Sequence, residues 1–320
     1  MWFQRIFRRN KGEHSRYLGG DFRDLPQSKM QLSSSALRQL NRLQLTANRY
    51  MPGSSVGLRS SLRRKPAYDF REHRMYVPGD DVRFVDWKAS ARQEHIFIKQ
   101  GEEPKEVSVY LLIDCSASMR WGEPPKANTL LDLAAALGYL ALAHSDRLVI
   151  YPSPNPKIRP LGPVSGKGQV PTLLNYLKTI PFDGRADFSE AVKGFTRRNR
   201  GGLTLVLSDL LDVKRFSNAL ALLPAPTWDV VVFHLLHPQE LEPTLKGDYQ
   251  MVDIETGRSV NYDVDDTALR MYREKIETWR NDLERSCIEN NAFYSLIPTH
   301  WSLEREIIPY LRSVQIVSSL

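Results

Sequence analysis

Between residues 106 and 300 the chain alternates two kinds of apolar pattern. Val107–Ile113, Arg147–Tyr151, Leu203–Leu207 and Val230–Leu236 are short, nearly continuous apolar runs rich in Val, Ile and Leu, which predicts buried strands. Between them, Asn128–His144, Gln169–Lys178, Phe188–Arg197 and Lys214–Leu222 carry helical spacing. Apolar strands alternating with amphipathic helices predict a doubly wound, mostly parallel α/β sheet covered on both faces. Tyr249–Ile254 and Val260–Tyr262 flank "ETGR" and predict a hairpin. A long helix from Asp266 to Asn290, a strand at Phe293–Ile297 and a helix from Ser302 to Arg312 complete this part.

Upstream the pattern is weaker. Leu37, Leu40, Leu43 and Leu45 follow a serine cluster suited to capping, so Ser33–Arg49 is expected to be one helix. Short β-like pieces surround Tyr76 and Ile96–Ile98, with a turn at Pro78-Gly79-Asp80. The expected organisation is a basic, loosely ordered N-terminus (1–28), an N-terminal helix and β-rich extension (29–105) and an α/β domain (106–320).

With 42% apolar and 25% charged residues, the composition is that of an ordinary globular chain. Its longest apolar run, Leu133–Ala143, is too short to span a bilayer. The basic start lacks an apolar signal core, and Cys115 and Cys287 form no disulfide framework, so a cytoplasmic location is expected. Charge is uneven: residues 1–75 hold 16 Lys or Arg against 5 Asp or Glu, and the remainder is mildly acidic. Such an arm suits nucleic acid, anionic lipid or an acidic protein, or is simply solvated.

The chemistry-bearing stretch is "VYLLIDCSASM". Asp114 stands at the end of the first strand of the α/β domain, where open sheets bind ligands. Ser116 and Ser118 follow at alternate positions, and Asp209 closes "LTLVLSD" at another strand end. Carboxylates with hydroxyls and water form a hard-oxygen set suited to Mg²⁺. Asp80, Asp81 and Asp86 near Lys88 form a second carboxylate group. Arginines Arg74, Arg83 and Arg92 lie near it in sequence, and the favoured reading is an Arg–Asp and Trp87 network clamping this region onto the sheet. Cys115 lacks a sequence-linked base, His234 and His237 lack zinc spacing, and "VSGKGQ" lacks phosphate-loop spacing. No enzyme is expected.

"LLIDCSASM" with "LVLSD" resembles the metal-ion-dependent adhesion site of the von Willebrand factor type A domain. "DFREHRMYVPGDDVRFVDWKASAR" resembles the hallmark of domain-of-unknown-function family 58, carried by Phe70, Arg74, Tyr76, Pro78, Gly79, Asp80, Arg83, Asp86, Trp87, Ala91 and Arg92. The resemblance implies a type A-like domain whose metal residues are Asp114, Ser116, Ser118 and Asp209, with Mg²⁺ as the cofactor. Ala186 stands where related sequences place a threonine ligand, so Asp187, Ser189 or water would fill that place. The resemblance further implies an adaptor joining a MoxR-type AAA+ ATPase to client proteins in assembly or maturation. The alternative is nucleic-acid binding through the basic N-terminal region.

Overall fold

The computed structural model describes residues 5–9, 32–46, 65–66, 72–78, 82, 85–92, 95–101, 107–153, 158–184, 188–253 and 258–319. Two compact units form, one from residues 1–50 with 108–320 and the other from 51–107. In chain order the elements before the main sheet are β1 (Arg5–Arg9), α1 (Ser34–Leu40), β2 (Leu43–Leu45), β3 (Lys65–Pro66), β4 (Glu72–Met75), α2 (Trp87–Ser90) and β5 (Phe97–Gly101). Next come β6 (Ser108–Asp114), α3 (Lys126–Ala143), β7 (Arg147–Ser153), β8 (Leu161–Val164), α4 (Val170–Lys178), α5 (Phe188–Thr196) and β9 (Gly202–Ser208). The rest are α6 (Val213–Leu220), β10 (Trp228–Leu236), α7 (Pro238–Leu241), β11 (Gly247–Asp253), β12 (Ser259–Val264), α8 (Asp266–Glu289), β13 (Phe293–Pro298), α9 (Ile308–Ser313) and β14 (Val317–Ser319).

The main sheet has the order β13-β10-β9-β6-β7-β8. Its first five strands run parallel, and β8 pairs antiparallel with β7 at the edge. This is the expected doubly wound sheet, and β6, the first of its strands in the chain, lies inside it. Side-chain alternation along β6 divides the core. Tyr110 and Leu112 join Phe195, Val206, Phe216, Trp228, Trp279 and Leu283 in the layer with α5, α6 and α8. Val109, Leu111 and Ile113 point to the other face, which α3 covers by crossing β6, β7, β9 and β10.

Three elements depart from the sequence pattern. Ser33–Arg49 is not one helix: α1 stops at Leu40, and β2 follows, paired antiparallel with β14. Leu43 and Leu45 are both buried with Gln44 between them, a period of two that the run of leucines conceals. This tie, with the packing of α1 and β2 on α3, places residues 34–45 with the α/β body. β8 contains Gly162 and Pro163 in only four residues, which an edge strand tolerates. At the N-terminus, β1 adds a third strand to the β11–β12 hairpin, so residues 5–9 have backbone partners in a sheet.

In the smaller unit, β3, β5 and β4 form an antiparallel sheet. The Asp86 carboxylate accepts the N–H groups of Lys88 and Ala89 at 3.0 Å each and so caps α2. Trp87 is 67% exposed. Asp80, Asp81 and Arg83 lie outside the described residues. Among the described residues, no helix is long and apolar enough to cross a membrane.

Candidate functional site

The carboxyl ends of β6 and β9 are adjacent in the sheet, and this brings Asp114 and Asp209 together across the crevice where the winding reverses. Both are buried. One Asp114 oxygen accepts the Ser116 N–H at 2.9 Å, and the other accepts the Ser208 hydroxyl at 2.5 Å. The Ser116 and Ser118 hydroxyls lie 2.9 Å apart, on the loop and 3₁₀ turn that follow β6. The second loop is stitched to this one, since Asp183 N–H donates to the Cys115 carbonyl and Ala117 N–H donates to the Gly184 carbonyl. Ala186 and Asp187, the residues in question for a third oxygen, lie outside the described residues. After Asp209 the backbone turns through Leu210, a buried residue with φ of 50°, a left-handed conformation that a leucine adopts only under constraint.

The site's electrostatics turn on a residue that the sequence pattern did not single out. Lys126, 1% exposed, donates from Nζ to Asp209 Oδ2 at 2.8 Å and to Glu240 Oε1 at 2.7 Å. The other Glu240 oxygen accepts the His237 N–H at 2.7 Å, and the Glu240 carbonyl accepts the Tyr272 hydroxyl at 2.7 Å. Trp121 stacks edge-on to His237, and Gly122, at φ +99°, lies so close to that ring that a Cβ there would meet it at 2.6 Å. Burial alone would pull the Lys126 ammonium down, but Asp209 and Glu240 outweigh it and hold its pKa above the ordinary value. Burial raises the Glu240 carboxyl despite the attraction of Lys126. Burial, then the nearby Asp209, push Asp114 up to about 6. Lys126 thus serves Asp209 and Glu240, and Asp114 remains a buried carboxyl beside a second one.

Two signals for this network were present in the sequence. A lysine at the first position of a long apolar helix opposes the helix dipole, so its charge is needed elsewhere. The stretch His237-Pro238-Gln239-Glu240 reads as a reciprocal cap, which the structure forms. Ser208 carried no signal, because its role follows from register alone.

Mg²⁺ was tested against these donors. Ligands at 2.0–2.1 Å in an octahedron stand about 2.9 Å apart along an edge, and the Ser116 and Ser118 oxygens have that separation. The Ser153 hydroxyl, paired in register with Asp114, is buried without a hydrogen-bond partner. The donor set therefore fits a small hydrated dication. Among the described residues, no group of three His, Cys, Asp or Glu side chains is arranged to hold a metal, so any such site here is of the mixed hydroxyl–carboxylate kind.

The other candidates have structural roles. Burial, then Asp114, push the Cys115 thiol well above its ordinary range, so it is not a ready nucleophile. His234 bonds the Tyr294 hydroxyl at 2.6 Å and the Asp209 carbonyl at 3.1 Å, and burial holds its pKa down at about 3. "VSGKGQ" runs from the end of β8 through a 3₁₀ turn into α4.

The sequence model of a family described as "Protein of unknown function DUF58" matches residues 72–281. The chain is similar to the uncharacterized protein Rv1480 of Mycobacterium tuberculosis and to the uncharacterized protein Mb1516 of Mycobacterium bovis. Each is 26% identical over 253 residues, covering 77% of this chain and 80% of the relative. Among solved structures, a conserved hypothetical protein BatB from Bacteroides thetaiotaomicron aligns at 14% identity and TM-score 0.40, over 65% of this chain and 98% of that one. The SpRpn10 VWA domain aligns at 10% identity and TM-score 0.37, over 64% and 95%. The doubly wound assignment stands on the strand order itself.

Two predictions follow from the charges. A buried Asp114 whose folded pKa lies above the unfolded value of 3.8 binds its proton more tightly in the folded state. Its contribution is therefore present at low pH and is lost as pH rises from about 4 through about 6. Asp114→Asn removes that loss: without divalent cations, its melting temperature relative to wild type should climb across this window and level off above it. A difference that stays flat with pH would show that Asp114 ionises freely. Lys126→Met leaves Asp209 and Glu240 buried without their counter-ion and should cost about 3–5 kcal/mol in urea unfolding, part of which Glu240→Gln in the same chain restores.

Proposed function

The chain belongs to the family described as "Protein of unknown function DUF58", and from that premise we propose that it is a non-enzymatic protein-interaction module of the cytoplasm. In this reading it is an adaptor that works with a MoxR-type AAA+ ATPase on client proteins during assembly or maturation. The observation that carries the interaction reading is the convergence of Asp114, Ser116, Ser118 and Asp209 at the carboxyl edge of the sheet. The ATPase partner rests on the resemblance of the hallmark segment.

Asp114, Ser116, Ser118 and Asp209 would hold Mg²⁺, with Asp187 or water at the position of Ala186. When bound, the ion supplies an open coordination position for an Asp or Glu of the partner, which gates recognition by the cation. The chain's own residues prepare that event. Ser208 and the Ser116 N–H fix the orientation of Asp114, and Lys126 fixes that of Asp209 from the side of Glu240. Neither carboxylate needs to find its rotamer when a ligand arrives, which lowers the ordering cost of binding.

Affinity capture from native lysate, with the bound proteins identified by mass spectrometry, tests this reading. A AAA+ ATPase should be recovered in Mg²⁺, lost in chelator, and lost with Asp114→Ala even in Mg²⁺. Calorimetry of the isolated chain should show Mg²⁺ binding that Asp114→Ala abolishes. Recovery of no ATPase in either condition overturns the adaptor reading. DNA or RNA binding that falls steeply with salt would favour the basic N-terminal region as the functional surface.

A further inference from the structure

The basic charge of the N-terminal region is only partly accounted for by a solvated arm. Arg38 and Arg42, four residues apart on α1 and the turn after it, face Arg312 of α9 across an open groove of about 480 Å³. Ser35, Pro309 and Ser319 complete the part of its wall that matters here. A second shallow depression beside β14 shares Pro309, Arg312 and Ser319, so the two form one trough with Arg312 at its middle. All three arginines are exposed. Glu304, which Ser35 of the wall contacts, is held by the hydroxyls of Ser33 and Ser35. Among the described residues that line it, the trough carries three guanidinium groups and no carboxylate, an excess of positive charge.

We propose that this trough is a docking site for an extended acidic segment of a partner protein. Guanidinium groups bind carboxylates through two parallel N–H···O contacts, and three of them spaced along a groove read a row of acidic side chains. β14 pairs with β2 on one edge, and no described strand pairs with its other edge, so a peptide backbone has N–H and C=O groups to meet there. These features select a polypeptide over a nucleic acid. Among the described residues, the trough's wall has no aromatic side chain on which bases stack, and a sugar–phosphate chain cannot extend a strand. None of the lining residues belongs to the Asp114 site, so the proposal stands apart from the cation-gated reading.

The test uses the full chain and a fluorescein-labelled peptide of alternating Glu and Val, followed by fluorescence anisotropy. The peptide should bind, more weakly as salt rises, while the corresponding Lys and Val peptide does not. Changing Arg38, Arg42 and Arg312 together to Gln should weaken binding about tenfold or more, since three exposed ion pairs are lost. Thermal melting of this variant should match wild type, because all three side chains are exposed. Asp114→Ala should bind the peptide as wild type does. Absence of peptide binding, equal binding by the triple variant, or loss of binding in Asp114→Ala overturns the proposal. So does a labelled single-stranded oligonucleotide that displaces the peptide and itself loses affinity in the triple variant, which would give the trough to nucleic acid.

Discussion

The architecture of the candidate site depends on one buried ammonium. Lys126 ties the loop after β9 to the segment after β10 through Asp209 and Glu240. Taking a lysine and two carboxyl groups out of water is costly, and attraction offsets that cost only where geometry is good and the remaining oxygens are satisfied. Both conditions hold on the Glu240 side, where His237 N–H takes the second oxygen, and α8 anchors the same residue through Tyr272. The loops at the sheet's carboxyl edge are therefore cross-linked by charge.

That cross-link also sets the character of Asp114. Because Lys126 is engaged with Asp209 and Glu240, Asp114 has only hydroxyl and amide donors, from Ser208 and Ser116, against a buried environment and a neighbouring carboxylate. Such a group gains most from a cation or a proton arriving at its side of the crevice. The asymmetry gives the site a resting arrangement that is stable without a metal on the Asp209 side. On the Asp114 side it leaves a carboxyl poised to respond.

How far the sequence carried this picture follows from the range of each interaction. The central strands and helices were legible because burial on both faces writes long apolar runs, and Asp114 and Asp209 were legible because strand ends are positions with known geometry. The pairing of Lys126 with Glu240 was not, since each carries only a local signal and the two, far apart in sequence, meet when β10 lies beside β9. β2 and β14 were missed for the same reason: each is three residues long and exists only through the other. The Asp86 cap on the helix of Trp87 is local, made within three residues, and owes nothing to such long-range pairing.

β2 and β14 then explain why the basic trough could not be read from charge counting. A +11 balance over residues 1–75 describes a region, not a surface, and most of its cations have no reason to converge. The pairing of β2 with β14 draws the end of α1 to the end of α9, and with the Ser33 and Ser35 bonds to Glu304 it brings Arg38 and Arg42 to the same groove as Arg312. The cation-site loops and the arginine trough thus arise from the same cause. In each, a pairing between distant strands assembles charges whose chemistry is invisible until the backbone has joined them.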